Sequence, residues 1–352
     1  MAKPRIILAD TNFNYLMSIQ LKFIEEFYEK IDLEIITDRL YFESLFATPQ
    51  KATILVVSED LYDDTLQKHN IAKVFVMTEQ NEEDATGDLN VDKIYKYTSI
   101  KEIFNEIVGK SEAVLNIDNY GKKDPQIIVV TSAAGGVGKT TIAVGLSASL
   151  ARDYKKVLYM NCDYLQGYML LLKNQTVISN NEIYTKLIRN KVNLYRDIRH
   201  VIRNESFSYL PPFKASLMSL GISPDVFRVI AEEAKNSGDY DYVILDTNSV
   251  FDEQKARFLD AADRVISVVK QNQASVIATN AFVSNINGMT GEKYLFVCND
   301  YDKTEDNALI SPSIIPKFSV NEYIDHFEQY DSIDCTELAE QSSIRRVEYL
   351  ID

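Results

Sequence analysis

The sequence predicts two α/β domains, each a parallel sheet wound by helices on both faces. Three observations carry this reading. Short apolar runs alternate with segments of helical period. The alternation occurs twice, on either side of a polar stretch ending in Gly121-Lys122-Lys123-Asp124-Pro125. And 352 residues are enough for two or three domains. Parallel strands are buried on both faces, so they read as continuous apolar runs, and each crossover between them needs a helix-length connection.

In the first half, strands are expected at Ile6–Ala9, Leu33–Ile36, Ile54–Val57, Val74–Met77 and, less sharply, Lys93–Tyr95. Helical period marks Tyr15–Tyr28 and Ile100–Val108. The segment from Gly109 to Asp124 is polar, and a linker is placed at 118–124, between a domain spanning 1–117 and one spanning 125–352. The second series has strands at Ile127–Thr131, Val157–Asn161, Tyr242–Asp246, Val265–Val269 and Leu295–Asn299, with helices between them. The stretch Asn174–Tyr209, polar and weakly periodic, reads as a helical insertion.

Composition excludes several classes. The chain carries 37 basic and 52 acidic residues, a formal charge of −15. A sequence-independent grip on DNA or anionic lipid needs clustered Lys and Arg, so direct nucleic-acid binding is not expected and membrane contact is expected only through a partner. No stretch approaches the roughly 20 apolar residues that span a bilayer. The first residues read as a short strand, with an apolar run too brief for a signal peptide. Cys162, Cys298 and Cys335 lie far apart without metal-site spacing and read as reduced thiols of a cytoplasmic protein.

The strongest motif is Thr131-Ser132-Ala133-Ala134-Gly135-Gly136-Val137-Gly138-Lys139-Thr140-Thr141. Three of only twelve glycines fall within four positions, between an apolar strand and the helix Ile142–Ala151. Glycines let backbone N–H groups turn inward around phosphates, and a helix N-terminus adds positive potential. In that context Lys139 reaches the β- and γ-phosphates and Thr140 ligates Mg²⁺. The motif therefore calls for a nucleotide with Mg²⁺, and the ATPase family it resembles implies ATP.

The first glycine of the ordinary phosphate loop is absent, because Ala133 occupies it. The loop instead resembles the deviant phosphate loop of the ParA/MinD ATPase family, K-G-G-x-G-K-T-T, over Gly135–Thr141. The family's signature lysine falls at Ala134. By this resemblance, residues 134–141 (Ala134, Gly135, Gly136, Val137, Gly138, Lys139, Thr140 and Thr141) bind the nucleotide. Asp163, in Val157-Leu158-Tyr159-Met160-Asn161-Cys162-Asp163, matches the second aspartate of the first switch, a catalytic and Mg²⁺-associated position, while Asn161 replaces the first aspartate. A turn cap is the alternative role for Asp163. Tyr240–Thr247 resembles the family's Y-D-[YF]-h-h-h-D-T, which makes Asp246 the strand-end acid that holds Mg²⁺ through water. The Pro-Pro that follows in the family is here Asn248-Ser249. Asn299 matches the asparagine at the adenine edge, with a plain turn residue as its alternative, and Ile315-Pro316 resembles the proline before a nucleotide-flanking loop. The resemblance spans about two-thirds of the chain. It implies a homodimer that sandwiches two nucleotides. Without a lysine at 134, binding should survive and hydrolysis should be slow, since a preorganised cation contributes mainly to the transition state.

The order of strands in the first domain resembles the receiver domain of response regulators, a flavodoxin-like fold. Asp10 matches one acid of that site, Thr78 its hydroxyl and Lys96 its lysine, but Ser58 stands at the phosphoacceptor position, with Glu59 and Asp60 out of register. This implies a receiver-like docking domain without its phosphorylation site. A plain ion pair between Asp10 and Lys96 is the alternative. A receiver-like domain fused ahead of a deviant-loop ATPase resembles the CpaE/TadZ family, which implies work in Flp/Tad-type pilus assembly, placement at a cell pole beside the inner membrane, and a pilus-base or polar partner. A ParA-like partitioning or MinD-like positioning ATPase is the alternative. A bacterial tyrosine kinase and a P-loop reductase fit less well, given the dispersed tyrosines and the unpaired cysteines.

Overall fold

The computed structural model describes residues 3–80, 90–115, 124–189, 192–286, 290–327 and 333–351. The chain divides into two compact units, 1–122 and 123–352. The expected linker at 118–124 lies outside the described residues except for Asp124.

The first unit contains β1 (Arg5–Ala9), α1 (Phe13–Phe27), β2 (Asp32–Ile36), α2 (Arg39–Phe46), β3 (Lys51–Ser58), β4 (Asn70–Thr78), β5 (Val91–Tyr95), α3 (Ile100–Lys110) and α4 (Glu112–Leu115). Its five strands are all parallel, in the order β2-β1-β3-β4-β5. That order reverses direction between β1 and β3, the switch point of flavodoxin-like sheets. Helices α1 and α3 cover one face through Phe23, Phe27 and Phe104. Helix α2 and a short turn at Asp64–Lys68 cover the other, around Phe42, Leu55, Val57 and Leu66. A capping box starts α3, with Ser99 and Glu102 each bonding the other's backbone N–H. The polar segment expected from Gly109 onward begins later than its composition suggested. Helix α3 runs to Lys110, α4 follows, and Leu115 is buried in the core.

The second unit contains β6 (Gln126–Thr131), α5 (Lys139–Arg152), β7 (Val157–Asn161), α6 (Asn181–Arg189), α7 (Leu194–Ile198), β8 (Arg203–Asn204), β9 (Ser208–Tyr209), α8 (Leu217–Leu220), α9 (Asp225–Ser237), β10 (Tyr242–Asp246), α10 (Glu253–Ala261), β11 (Arg264–Val269), α11 (Gln273–Ser284), β12 (Tyr294–Tyr301), β13 (Glu322–Asp325), α12 (Cys335–Glu340) and α13 (Ser342–Tyr349). Its sheet runs β13-β12-β11-β6-β10-β7-β9-β8, parallel except for β8. Strand β6 is central, and all its apolar side chains are buried. Helices α6, α7, α9, α10 and α11 pack one face, and α5, α12 and α13 the other.

The insertion is only partly helical. After α6 and α7 it ends in a hairpin of two-residue strands, and β9 adds to the sheet beside Leu158 and Tyr159. Helix α13 is held tightly. Ile344 lies 3.3 Å from where a Cβ on Gly145 of α5 would stand, and buried Ser149 of α5 donates to Glu348. No helix among the described residues is long and apolar enough to cross a membrane.

Candidate nucleotide site

The turn after β6 is set by glycine. Gly136 and Gly138 have φ of 67° and 90°, where side-chain-bearing residues are strained. A Cβ on Gly138 would also stand 2.1 Å from the Asn299 amide nitrogen. Gly138 therefore caps α5 without a side chain, which is why the helix begins at Lys139 rather than at Ile142. Lys139 is half-buried, and its ammonium donates to Ser132 Oγ at 3.0 Å. Desolvation lowers its pKa, opposed by the negative charges of Asp246 and Asp163. Among the described residues it makes no ion pair with either.

Asp246 ends β10 and is 1% exposed. Its Oδ2 accepts from Thr140 Oγ1 at 2.7 Å, from Asn161 Nδ2 at 2.7 Å and from Tyr159 OH at 3.0 Å. Burial raises its pKa, and the three donors work against that shift. Strand register makes this convergence: Asp246 pairs with Asn161 on one side and with Val130 on the other. Asn161, read only as the replacement of an aspartate, thus orients the strand-end acid. Its Oδ1 also accepts from the Asp163 backbone N–H at 3.2 Å, and Asp163 Oδ1 accepts from the Tyr164 N–H at 2.7 Å. Asp163 therefore makes the turn contact given above as its alternative, and it also faces the charge of Lys139.

The structure brings Thr140, Lys139, Asp246 and Asp163 together, with residues 134–138 as the loop above them. Asn299, near the end of β12, is buried, and its amide donates to the Val137 carbonyl at 2.9 Å. It fixes the loop, and its Oδ1 has no protein partner among the described residues. Pro316 is fixed by different contacts: Asn280 of α11 donates to the Ile315 carbonyl at 3.0 Å and accepts from the Lys317 N–H at 2.7 Å.

Glycine amides in a left-handed turn, a hydroxyl next to a carboxylate, and a half-buried lysine suit a phosphate chain with a hard cation. Mg²⁺ takes one or two carboxylates and keeps waters and phosphate oxygens, so it needs no dedicated cage. Among the described residues no group of three or more His, Cys, Asp or Glu could hold a metal by itself. All three cysteines are free and buried.

Sequence reasoning missed Lys255. It lies in the first turn of α10, 3% exposed, and donates to Thr131 Oγ1 and Thr247 Oγ1, each at 2.7 Å, and to the Asn248 carbonyl. Burial, and secondarily the charge of Lys139, pushes its pKa down to about 7. A lysine in a polar helix carries no motif, and only the fold shows where its ammonium goes.

In the first unit, Asp10, Ser58, Thr78 and Lys96 sit at or just beyond the C-terminal ends of β1, β3, β4 and β5. Lys96 and Asp10, 9% and 1% exposed, form an ion pair at 2.7 Å. Lys96 Nζ also lies 4.9 Å from the centre of the Tyr15 ring. Thr78 Oγ1 donates to the Gln80 carbonyl at 2.9 Å. Ser58 Oγ is buried without a hydrogen-bond partner among the described residues.

Comparison with known proteins places the second unit. Residues 125–294 match the AAA domain family. The chain is 29% identical over 157 residues to an uncharacterized ATP-binding protein of Methanocaldococcus jannaschii, and 26% identical over 156 residues to the septum site-determining protein MinD of Bacillus subtilis. Each match covers 43% of this chain and 55% of the relative, so the chain spans about half the length of the curated relatives it matches. Among solved structures, a ParA family ATPase from Chlorobium tepidum shows 16% identity and a TM-score of 0.52, covering 65% of this chain and 98% of that one. MinD of Pyrococcus horikoshii complexed with Mg-ADP shows 19% identity and a TM-score of 0.50, covering 64% and 94%. The second unit thus has the mixed α/β P-loop fold of ParA/MinD type.

Proposed function

We propose that this chain is an ATP-binding, ATP-dimerised localisation and assembly factor of the TadZ/CpaE type, with slow hydrolysis and an N-terminal receiver-like docking domain. One observation carries the nucleotide part: a glycine-shaped loop on a buried strand sets Lys139 and the Thr140–Asp246 pair side by side. The relative complexed with Mg-ADP has the same fold, which supports ATP and Mg²⁺ as the ligands here. Mg²⁺, when bound, neutralises phosphate charge and organises water.

The protein's own groups do the rest. Loop amides and Lys139 hold the phosphates. Asn161 and Tyr159 keep the Asp246 carboxylate aimed at Thr140. Asn299 keeps the loop from opening at Val137. Asp163, at the end of the first switch, orients water. With Ala134 in place of a lysine, no cation from that position meets the charge that develops during phosphoryl transfer, so turnover is slow. Exposed Leu165, Val250 and Phe251 follow the two switches and offer apolar surface for a second copy. In the first unit, Asp10 and Lys96 neutralise each other and Ser58 replaces the acceptor, which supports docking rather than phosphorylation.

The pilus role rests on the resemblance of layout and loop. Its test is genetic: loss of the gene should abolish Flp/Tad-type pili, and the Lys139→Ala form should fail to restore them. Normal pili with misplaced division sites or lost plasmids would favour the second reading, a MinD-like or ParA-like positioning ATPase. The MinD relatives favour that reading. The packing of Ile344 and Val347 of α13 into the core weighs against a free membrane-binding helix there.

A further inference from the structure

Lys255 carries chemistry that the phosphate-loop motif does not explain. Its ammonium has three N–H donors, and all three are used on neutral oxygens: the Thr131 and Thr247 hydroxyls and the Asn248 carbonyl. Among the described residues no carboxylate forms an ion pair with it. The charges of Asp246 and Asp252 act on it without a direct pair, and a buried cation so held is costly, where a neutral side chain could fill the same space more cheaply. The three acceptors show what the cation does. Thr131 is the last residue of β6, immediately before the phosphate loop. Thr247 and Asn248 are the first residues after Asp246. The Thr247 hydroxyl, while accepting from Lys255, donates to the Val130 carbonyl at 3.0 Å. Lys255 thus ties the chain leaving β10 to the strand that feeds the phosphate loop.

The tied segment leads in two directions. Ser249 Oγ lies 3.9 Å from where a Cβ on Gly135 would stand, so the segment runs beside the phosphate loop. Val250 and Phe251 follow at 57% and 50% exposure, with the Phe251 ring edge-on to Phe282 at 5.7 Å.

We propose that Lys255 is a positioning residue that couples occupancy of the phosphate loop to the placement of residues 247–251. This rests on the nucleotide reading above. The charge of Lys139 adds to the cost of keeping Lys255 charged. An anion held by Lys139 relieves that cost, so Lys255 keeps its charge and its three bonds, and the segment 247–251 tightens against β6. Coupling of this kind is reciprocal: a segment held in place favours the bound anion by the same factor. It also makes the position of the exposed Val250–Phe251 pair firmer when nucleotide is bound.

The test is amide hydrogen exchange of the peptide covering 247–252 in the full chain, with and without Mg-ADP, alongside calorimetry of Mg-ADP binding. In the wild type, nucleotide should slow exchange of this peptide by at least about fivefold, the low end of typical coupling. Lys255→Met should still bind Mg-ADP while its exchange is unchanged by the ligand. Equal protection in wild type and variant overturns the proposal. Loss of binding by a folded Lys255→Met also overturns it, since Lys255 would then hold the ligand itself. If Lys255→Met does not fold, Thr131→Val decides: it removes one acceptor and leaves the lysine, and full nucleotide-induced protection in that variant overturns the proposal. Failure of the wild type to bind Mg-ADP would remove the nucleotide reading on which the coupling rests, and that result is read from the calorimetry alone.

Discussion

Two strand-end clusters in this molecule contain the same charges and treat them oppositely. In the first unit, Lys96 and Asp10 meet directly at 2.7 Å, buried, with an aromatic ring beside the ammonium. In the second, Lys139 turns to a serine hydroxyl while Asp246 is surrounded by three neutral donors. A cluster whose charges cancel is complete without a ligand. One whose cation and anion are kept apart by neutral groups still has a field to offer. The difference separates a self-paired cluster from one left open to a ligand more cleanly than residue identity does, since each cluster has a lysine, an acid and a hydroxyl.

The largest effect that would test this comparison is on stability. Asp10→Ala should leave Lys96 buried and unpaired and destabilise the first unit by about 3–5 kcal/mol. Denaturant unfolding would show this, and the double variant Asp10→Asn with Lys96→Met should recover most of the loss. Affinity for Mg-ATP should be unchanged. Lys139→Ala should do the converse: little change in stability, and a fall in Mg-ATP affinity of at least about 100-fold by calorimetry, as expected for charge-assisted contacts of about 3 kcal/mol. Equal affinity in the variant would refute the assignment of the loop.

The fold was legible where burial is complete. All ten expected strands are present, most of them because a parallel strand covered on both faces must be continuously apolar, while the edge strands β2 and β5 are only partly buried. The missed strands are short. Arg203–Asn204 and Ser208–Tyr209 have two residues each, and Glu322–Asp325 has four, too few for a period to show. In the site, Lys139, Thr140 and Asp246 were legible because loop chemistry fixes their spacing. Tyr159 and Asn161 were not legible as partners of Asp246, since only the β7–β10 register places them there. Asn299 was matched to an adenine contact, and the structure shows what its amide holds, the Val137 carbonyl.

A smaller effect sharpens the comparison within the second unit. Ala134→Lys should raise ATP turnover by about one to two powers of ten, because the added cation acts on charge developing in the transition state. An unchanged rate in a steady-state assay would mean that slow turnover has another cause.

More gradual is the pH dependence carried by Lys255. In the unfolded chain it keeps its proton up to its ordinary value of 10.5, whereas in the fold it releases it near 7. Between those values the unfolded state binds more protons, so this group makes stability rise with pH, by at most about 1.4 kcal/mol per unit. Below 7 it contributes no slope. Urea unfolding at pH 7 and pH 9.5 should therefore show wild type gaining on Lys255→Met, and a constant difference would contradict the burial argument. The smallest expected signal is none: acetyl phosphate should add no phosphoryl group to residues 1–117, since Ser58 stands where an aspartate would be. An adduct on Glu59 or Asp60 would overturn the docking reading.

The central claim is that ATP joins two copies of this chain more than it fuels them. Sedimentation velocity of the full chain, with and without saturating Mg-ATP, tests it most directly, because a ligand that favours the dimer must shift the equilibrium toward it. The account predicts a shift from monomer to dimer, or a tighter dimer, that Lys139→Ala abolishes. A wild-type chain that stays monomeric at saturating Mg-ATP would contradict it.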